Sequence, residues 1–313
     1  MTSNSPELSA ILPVAEDLQA IAETVSHLQR QTCCSRIELI ITGPQHVLEK
    51  VNSDDYSQFA AFQTVPLNGS CSLGQAYAAG IREAHAPVIA CCEDHAYPEP
   101  EWAEALIAAH KREWTVVGPA MRNGNPGNLT SWAAFMMGFG PWAVPCAAQQ
   151  VTHLPWHNNS YKRDVLLEYG EKLSNLFEAE TVLQWKLRDK GHKLYLEPQA
   201  RIAHLNVAKF NAWIVFQHYA GQKFGAKRCE NWSLARRMLY GAASFLIPVV
   251  RFSRLLKPVL ESGKCQKPKL AVLAVVMFGL IADGLGQMRG YFFGTGRSIE
   301  KTAEFDLHRA KYL

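Results

Sequence analysis

Residues 87–102, PVIACCEDHAYPEPEW, decide the fold. The apolar run 87–92 has the length of a buried strand, and Pro98 and Pro100 then turn the chain into a helix that continues as AEALIAAHKR. Upstream, LSAILPV (8–14), RIELIIT (36–42) and AAFQTVP (60–66) read as further strands. The spacing predicts helices over 18–31, 45–51 and 73–84 between them. Strand alternating with helix predicts an α/β fold with a doubly wound, mostly parallel sheet. Ligands of such sheets bind beyond the carboxyl ends of the strands, and the most polar strand end here is Glu93-Asp94-His95.

Downstream, WTVVGPA (114–120) and HKLYLEP (192–198) read as strands and 178–190 as a helix. Between them, NGNPGN and the Met- and aromatic-rich SWAAFMMGFGPW are expected to form a long loop of the kind that covers an active site. Two apolar runs follow, Leu239–Val250 and Leu270–Ala282, bounded by Arg236, Arg237, Arg251, Lys269 and Asp283. At twelve and thirteen residues they fall short of the roughly 20 needed to cross a bilayer, which predicts core or interfacial helices with basic flanks. The expected organisation is a catalytic domain over 1–210 and a helical, partly apolar appendage over 211–313.

With 48% hydrophobic and 19% charged residues, the chain has neither the composition of a disordered protein nor that of a polytopic membrane protein. The net charge of +4 hides an asymmetry. Residues 201–269 hold thirteen Lys/Arg against Glu230 and Glu261, so the rest of the chain is acidic. Such a block attracts phosphate or anionic lipid, and its long apolar runs argue against nucleic acid as the partner. The eight cysteines form two adjacent pairs, Cys33-Cys34 and Cys91-Cys92, and four singles, Cys71, Cys146, Cys229 and Cys265, with no C-x-x-C. They read as reduced thiols, and residues 1–14 lack the pattern of a secretory signal, so a cytoplasmic location is expected.

Two carboxylates and an imidazole at the end of a buried strand are costly unless a cation joins them. Oxygen and nitrogen donors together suit Mn²⁺ better than Mg²⁺. The competing reading is that Asp94 caps the next helix. His204, ending YLEPQARIAH, would supply a ligand from another strand. Glu180 opens the inward face of its helix with Leu183 and Leu187, as a general base would, or as any acid favoured in a first helical turn.

Together these elements resemble glycosyltransferase family 2, inverting transferases of GT-A fold, over about residues 8–210. ILPVAED looks like the family's first strand and turn, GQAYAAGI like its Gly-containing helix, and CCEDHAYPEPEWAEAL like its strand, metal motif and Pro-x-Pro-x-Trp helix. HNNSYKRDVL and ETVLQWKLRDKGHKLYLEP are similar to its Asn-containing and base-bearing segments. The resemblance implies that Glu93 and Asp94 lie at the nucleotide diphosphate, that Asp94, His95 and His204 hold Mn²⁺ or Mg²⁺, and that Glu180 is the base. Pro13 and Val14 would line the nucleoside pocket. The acids usual after the second strand are replaced by Ile41-Thr42-Gly43-Pro44, so Glu16 or Asp17 would have to read the nucleobase.

The implied activity is inverting transfer of a hexose from a nucleotide-sugar to a hydroxyl of a lipid-linked saccharide or cell-envelope polysaccharide precursor. The chain would act as a peripheral protein on the anionic cytoplasmic face of a membrane. Two alternatives stay open. A nucleotidyltransferase would want a Gly-rich, basic loop after the first strand, which is not seen; a degenerate scaffold would explain the missing acids.

Overall fold

The computed structural model describes residues 5–68, 72–261 and 263–313, so Cys71 lies outside the described residues. Among the described residues, none of the other seven cysteines is joined in a disulfide to another. The chain forms two compact units, one of residues up to Arg122 with Cys146–His204, the other of Asn123–Pro145 with Leu205–Leu313. This differs from the division expected after residue 210. The second unit begins directly after His204, and it includes a helix inserted from the middle of the chain.

The first unit is built on strands β1 (Leu8–Pro13), β2 (Ile37–Pro44), β3 (Ala61–Leu67), β4 (Val88–Cys91), β5 (Ala96–Pro98), β6 (Val116–Asn123), β7 (Gln149–Val151), β8 (Ser160–Lys162) and β9 (Leu194–His204). Their order is β3-β2-β1-β4-β8-β6-β9-β5, with β7 also on β9. The first four strands are parallel and carry the long ladders. This is the doubly wound, mostly parallel part, and its strand order reverses between β1 and β4, where such sheets bind ligands. The short later strands β5, β7 and β8 pair antiparallel.

The helices in chain order are α1 (Leu18–Gln29), α2 (Gln45–Leu48), α3 (Leu73–Glu83), α4 (Trp102–His110), α5 (Leu129–Phe139), α6 (Arg163–Leu167), α7 (Leu173–Phe177) and α8 (Glu180–Asp189). Local sequence explains their starts. Asp17 Oδ1 accepts the main-chain N–H of Gln19 at the head of α1, and Ser72 and Gln75 form a reciprocal capping box on α3. Gly80 lets α3 lie on the sheet, because a Cβ there would stand 2.6 Å from Ile11 Cγ2.

The expected loop over 131–142 is corrected: most of it is α5, capped by Asn128, whose Oδ1 accepts the N–H of Ser131 at 2.8 Å. Apolar residues on nearly every side of this helix erased the periodicity that would have announced it.

The second unit continues with α9 (Phe210–Arg228), α10 (Leu234–Ala242), α11 (Ile247–Leu260), α12 (Lys269–Phe293) and α13 (Ser298–Leu307). Helices α9 and α12 meet main chain to main chain. A Cβ on Gly221 would lie 2.3 Å from Asp283 O, and one on Gly286 2.0 Å from His218 O, the close approach that small residues permit between apolar helices. Arg251 of α11 pairs with Asp283 of α12 at 2.6 Å, and Gln287 Nε2 donates to the same carboxylate at 2.9 Å.

The two apolar runs are parts of longer helical segments, 234–260 and 269–293, whose most apolar 18-residue windows have mean hydropathies of 1.3 and 1.9. At about 1.5 Å per residue these are roughly 40 and 37 Å long, enough by length and composition to cross a bilayer. The shorter lengths read from the sequence stopped at Arg251 and Asp283, which instead satisfy each other inside the unit.

Candidate active site

β5 pairs with β9 so that Ala96 stands opposite His204. That register brings His204 beside the end of β4, more than a hundred residues earlier in the chain. Ligand atoms of Glu93, His95 and His204 lie within 4.8 Å of one another, all buried. His95 Nε2 is 3.7 Å from Glu93 Oε1, and His204 Nε2 is 3.5 Å from Glu93 Oε2. Burial pushes the Glu93 carboxyl up, but His95, His204 and His157 around it more than offset this and hold it well below the usual range.

The trio fits a divalent cation. Donors bound at about 2.0–2.2 Å stand up to about 4.4 Å apart, so only slight closing is needed. His95 Nε2 is a buried nitrogen without a hydrogen-bond partner, while Nδ1 of the same ring lies 2.5 Å from Asp94 Oδ1. A carboxylate on the far nitrogen holds the proton there and turns the Nε2 lone pair toward Glu93, the arrangement typical of metal-bound histidines. Asp94, expected as a ligand, is bonded to the far nitrogen of His95, and Glu93 is the carboxylate that groups with the two imidazoles. Asp94 does not cap the next helix either, because β5 intervenes and α4 begins only at Trp102.

The backbone at 92–93 is pinned from both sides, by Tyr77 OH donating to Cys92 O at 2.9 Å and Thr24 Oγ1 to Glu93 O at 3.0 Å. The segment 157–161 supplies a side-chain contact that sequence reasoning missed: Asn158 Nδ2 donates to Glu93 Oε2 at 2.5 Å. His157 and Asn158 both adopt left-handed backbone, with φ of 57° and 58°, at a cost of about 1–3 kcal/mol each that clusters at functional sites. The signal in the sequence was the paired asparagines before a strand, since Asn tolerates this conformation.

Glu180 stands on the other side of the same segment. It is 1% exposed. Its Oε1 accepts from Asn159 Nδ2 at 2.8 Å and from Tyr161 OH; its Oε2 accepts from the N–H of His157 at 2.5 Å. Burial and the neighbouring Glu180 charge push the Tyr161 phenol well above its ordinary value, so it remains a donor. His157 Nδ1 stands 3.7 Å from Glu180 Oε2 and has no hydrogen-bond partner. Residues 157–161 thus join Glu180 to the Glu93 cluster.

Pro13 ends β1 opposite Thr42. Val14 is buried, its N–H bonded to Thr42 O at 2.8 Å, and Gly43 is required beneath it because a Cβ there would lie 2.6 Å from Val14 Cγ1. Glu16 is exposed between β1 and α1, and Asp17 is engaged as a cap. The structure brings together Glu93, His95, His204 and, through 157–161, Glu180. It leaves Glu16 on the surface.

A family model described as Glycosyl transferase family 2 matches residues 9–170. No curated protein sequence matches the chain. Among solved structures, the mannosyltransferase PcManGT from Pyrobaculum calidifontis, in complex with GDP-Man and Mn²⁺, is similar with a TM-score of 0.50 at 15% identity, over 92% of this chain and 88% of that one. GalNAc-T7 with UDP, GalNAc and Mn²⁺ is similar with a TM-score of 0.51 at 14% identity, over 82% of this chain and 52% of that one, so this chain spans about half of it. At these identities the likeness shows the fold, which is of GT-A type with a C-terminal helical region. The family match covers more than half of the 313 residues, and the chain belongs to glycosyl transferase family 2.

Proposed function

We propose that this protein transfers a sugar from a nucleotide-sugar to a hydroxyl of a saccharide acceptor, with inversion at the anomeric carbon. Family membership and fold support sugar transfer as such. The observation that carries the finer reading is the buried Glu93, His95 and His204 cluster beside the reversal point of the sheet, with an imidazole nitrogen left for a cation. Glu93, His95 and His204 are the residues to hold the ion, Mn²⁺ by their mixed oxygen and nitrogen donors. When bound, a divalent cation offsets the charge that develops on the departing nucleoside diphosphate. The two similar structures were solved with Mn²⁺ together with GDP-Man or with UDP and GalNAc, which agrees with this assignment.

Pro13 and Val14 are assigned to the nucleoside. The acceptor oxygen forms its bond to the anomeric carbon as the bond to the diphosphate oxygen breaks, and the electron pair leaves with the nucleotide. The acceptor proton is taken up by Glu180, with the His157 ring, whose Nδ1 faces that carboxylate, as the group through which it passes. Glu180 has a second duty in holding 157–161. Replacing it by Gln is expected to lower kcat by about 10²–10⁴-fold with nucleotide binding retained; near-normal transfer would remove it from the reaction. The anomeric configuration of the product, read by proton NMR, tests inversion.

The second unit supports a reading of the acceptor class. Its basic, apolar helices suit a saccharide carried on a lipid or a cell-envelope precursor, with the protein peripheral on the anionic cytoplasmic face of a membrane.

A further inference from the structure

Helix α12 leaves one apolar stripe uncovered. Leu270, Phe278, Ile281, Leu285 and Phe293 are between 44% and 79% exposed, and at 3.6 residues per turn they fall within an arc of roughly 140°, so they lie toward one side of the helix. The segment from α10 through the 3-10 turn 243–246 into α11 exposes a second apolar group, Met238, Leu239, Phe245, Leu246 and Val249. Arg236, Arg254 and Lys257 are exposed on the same two helices. Only 17% of the most apolar window of 234–260 is buried within the protein. So much uncovered apolar surface marks a docking face.

We infer that this face lies in the interface of an anionic membrane and that neither apolar helix crosses it. The reason is α13. Helix α9 is sandwiched: Gly221 and Gly225 touch α12, while Phe216 packs on Phe305 of α13 at 5.4 Å. Phe216 and Gly221 are roughly 140° apart around α9 at 3.6 residues per turn, so α13 and α12 take different sides of it. The chain turns back after α12, with Gln222 Nε2 donating to Gly294 O at 3.1 Å, and by Tyr312, whose carbonyl accepts from Ala208 N–H at 2.9 Å, it has returned to the start of α9. Helix α13 therefore runs back at the same depth as the last four turns of α12.

Its Glu300 pairs with Arg297, the residue before the helix, at 2.8 Å and its Lys301 with Glu304 at 2.9 Å, and Arg297 and Glu300 are 72% and 60% exposed. A bilayer spanned by α12 would draw these charges into hydrocarbon, where ionised side chains are strongly disfavoured. A monotopic arrangement leaves them in water and still covers both apolar stripes. The aromatic and basic cluster where α9 ends and α10 begins fits the headgroup layer: Arg236 lies 4.1 Å from the Trp232 ring, which stacks on Tyr291. Anionic lipid is favoured because the unit's charge between 205 and 269 is almost wholly positive.

This inference rests on the proposed membrane association of the helical unit and makes it specific. The full chain, prepared without detergent, is floated with vesicles of phosphatidylcholine alone and of phosphatidylcholine with phosphatidylglycerol, and amide hydrogen exchange is followed on the vesicles. Flotation with the anionic vesicles is expected, with slowed exchange over 234–250 and 270–293 and unchanged exchange over 298–307. A Phe245→Glu/Leu285→Glu variant should lose flotation while keeping its melting temperature and its nucleotide binding. Slowed exchange over 298–307 as well would overturn the monotopic placement in favour of a span. Failure to float, or a dimer in solution that covers the same stripes, would overturn the membrane face. Nucleotide binding that is normal in either case would leave the transferase reading standing.

Discussion

Glu93 is held by Asn158 and faced by two imidazoles, and that arrangement sets what single substitutions should do. Asn158 touches the proposed ligand without being one. Asn158→Ala is expected to weaken Mn²⁺ binding by about 10- to 100-fold, as loss of an outer partner does, and to lower the melting temperature too, because Ala tolerates left-handed backbone less well than Asn; water-proton relaxation titration of the folded variant measures the first effect. Unchanged affinity would show that 157–161 does not orient the cluster.

Glu38, at the opposite end of the sheet, is a structural counterpart. Its buried carboxylate accepts from Ser9 Oγ at 2.5 Å, His85 N–H at 2.9 Å and Gln63 Nε2 at 3.1 Å. Burial raises its pKa, but these bonds and the His85 ring together bring it below the ordinary 4.5. A depressed folded pKa means that the contribution to stability is present above the unfolded value and is lost as pH falls through the folded one. Glu38→Gln should therefore cost about 1–3 kcal/mol at pH 7, and the gap to wild type should shrink below about pH 4.5. Urea unfolding at the two pH values checks it.

Among the elements, the parallel half of the sheet was legible because buried strands and capped helices carry their own periodicity. LSAILPV, RIELIIT and PVIACC are β1, β2 and β4 within a residue or two. Strands β5, β7 and β8 are three residues each, too short to show a period. Yet the β5–β9 register decides that His204 joins the site. The sequence also offered no way to choose Glu93 over Asp94 as the cluster carboxylate, since that depends on which side of β4's end each faces.

In the helical unit, close packing is the testable element. Gly286→Ala would drive a Cβ toward His218 O and force α9 and α12 apart, at about 1–3 kcal/mol. Arg251→Met alone should destabilise the unit by leaving Asp283 without its partner, and Arg251→Met/Asp283→Leu should recover part of the loss. A double-mutant cycle by thermal unfolding reads the coupling, and simple additivity would deny the pair a role.

On the scale of the whole molecule, the charge asymmetry and the apolar stripes act together. If both hold the protein on anionic vesicles, about 0.5 M salt should weaken flotation through screening but not abolish it, because burial of apolar surface persists. Complete release by salt would reduce the contact to charge alone. The central claim, however, is that Glu93, His95 and His204 bind the cation that a nucleotide-sugar transferase of this family uses. Calorimetric titration of the full chain with a panel of nucleoside diphosphates, with and without Mn²⁺, tests it most directly when wild type is compared with His204→Ala. The account predicts that at least one nucleotide binds in the presence of Mn²⁺ and that the variant loses that binding. Binding to none, or binding in the variant that matches wild type, would contradict it.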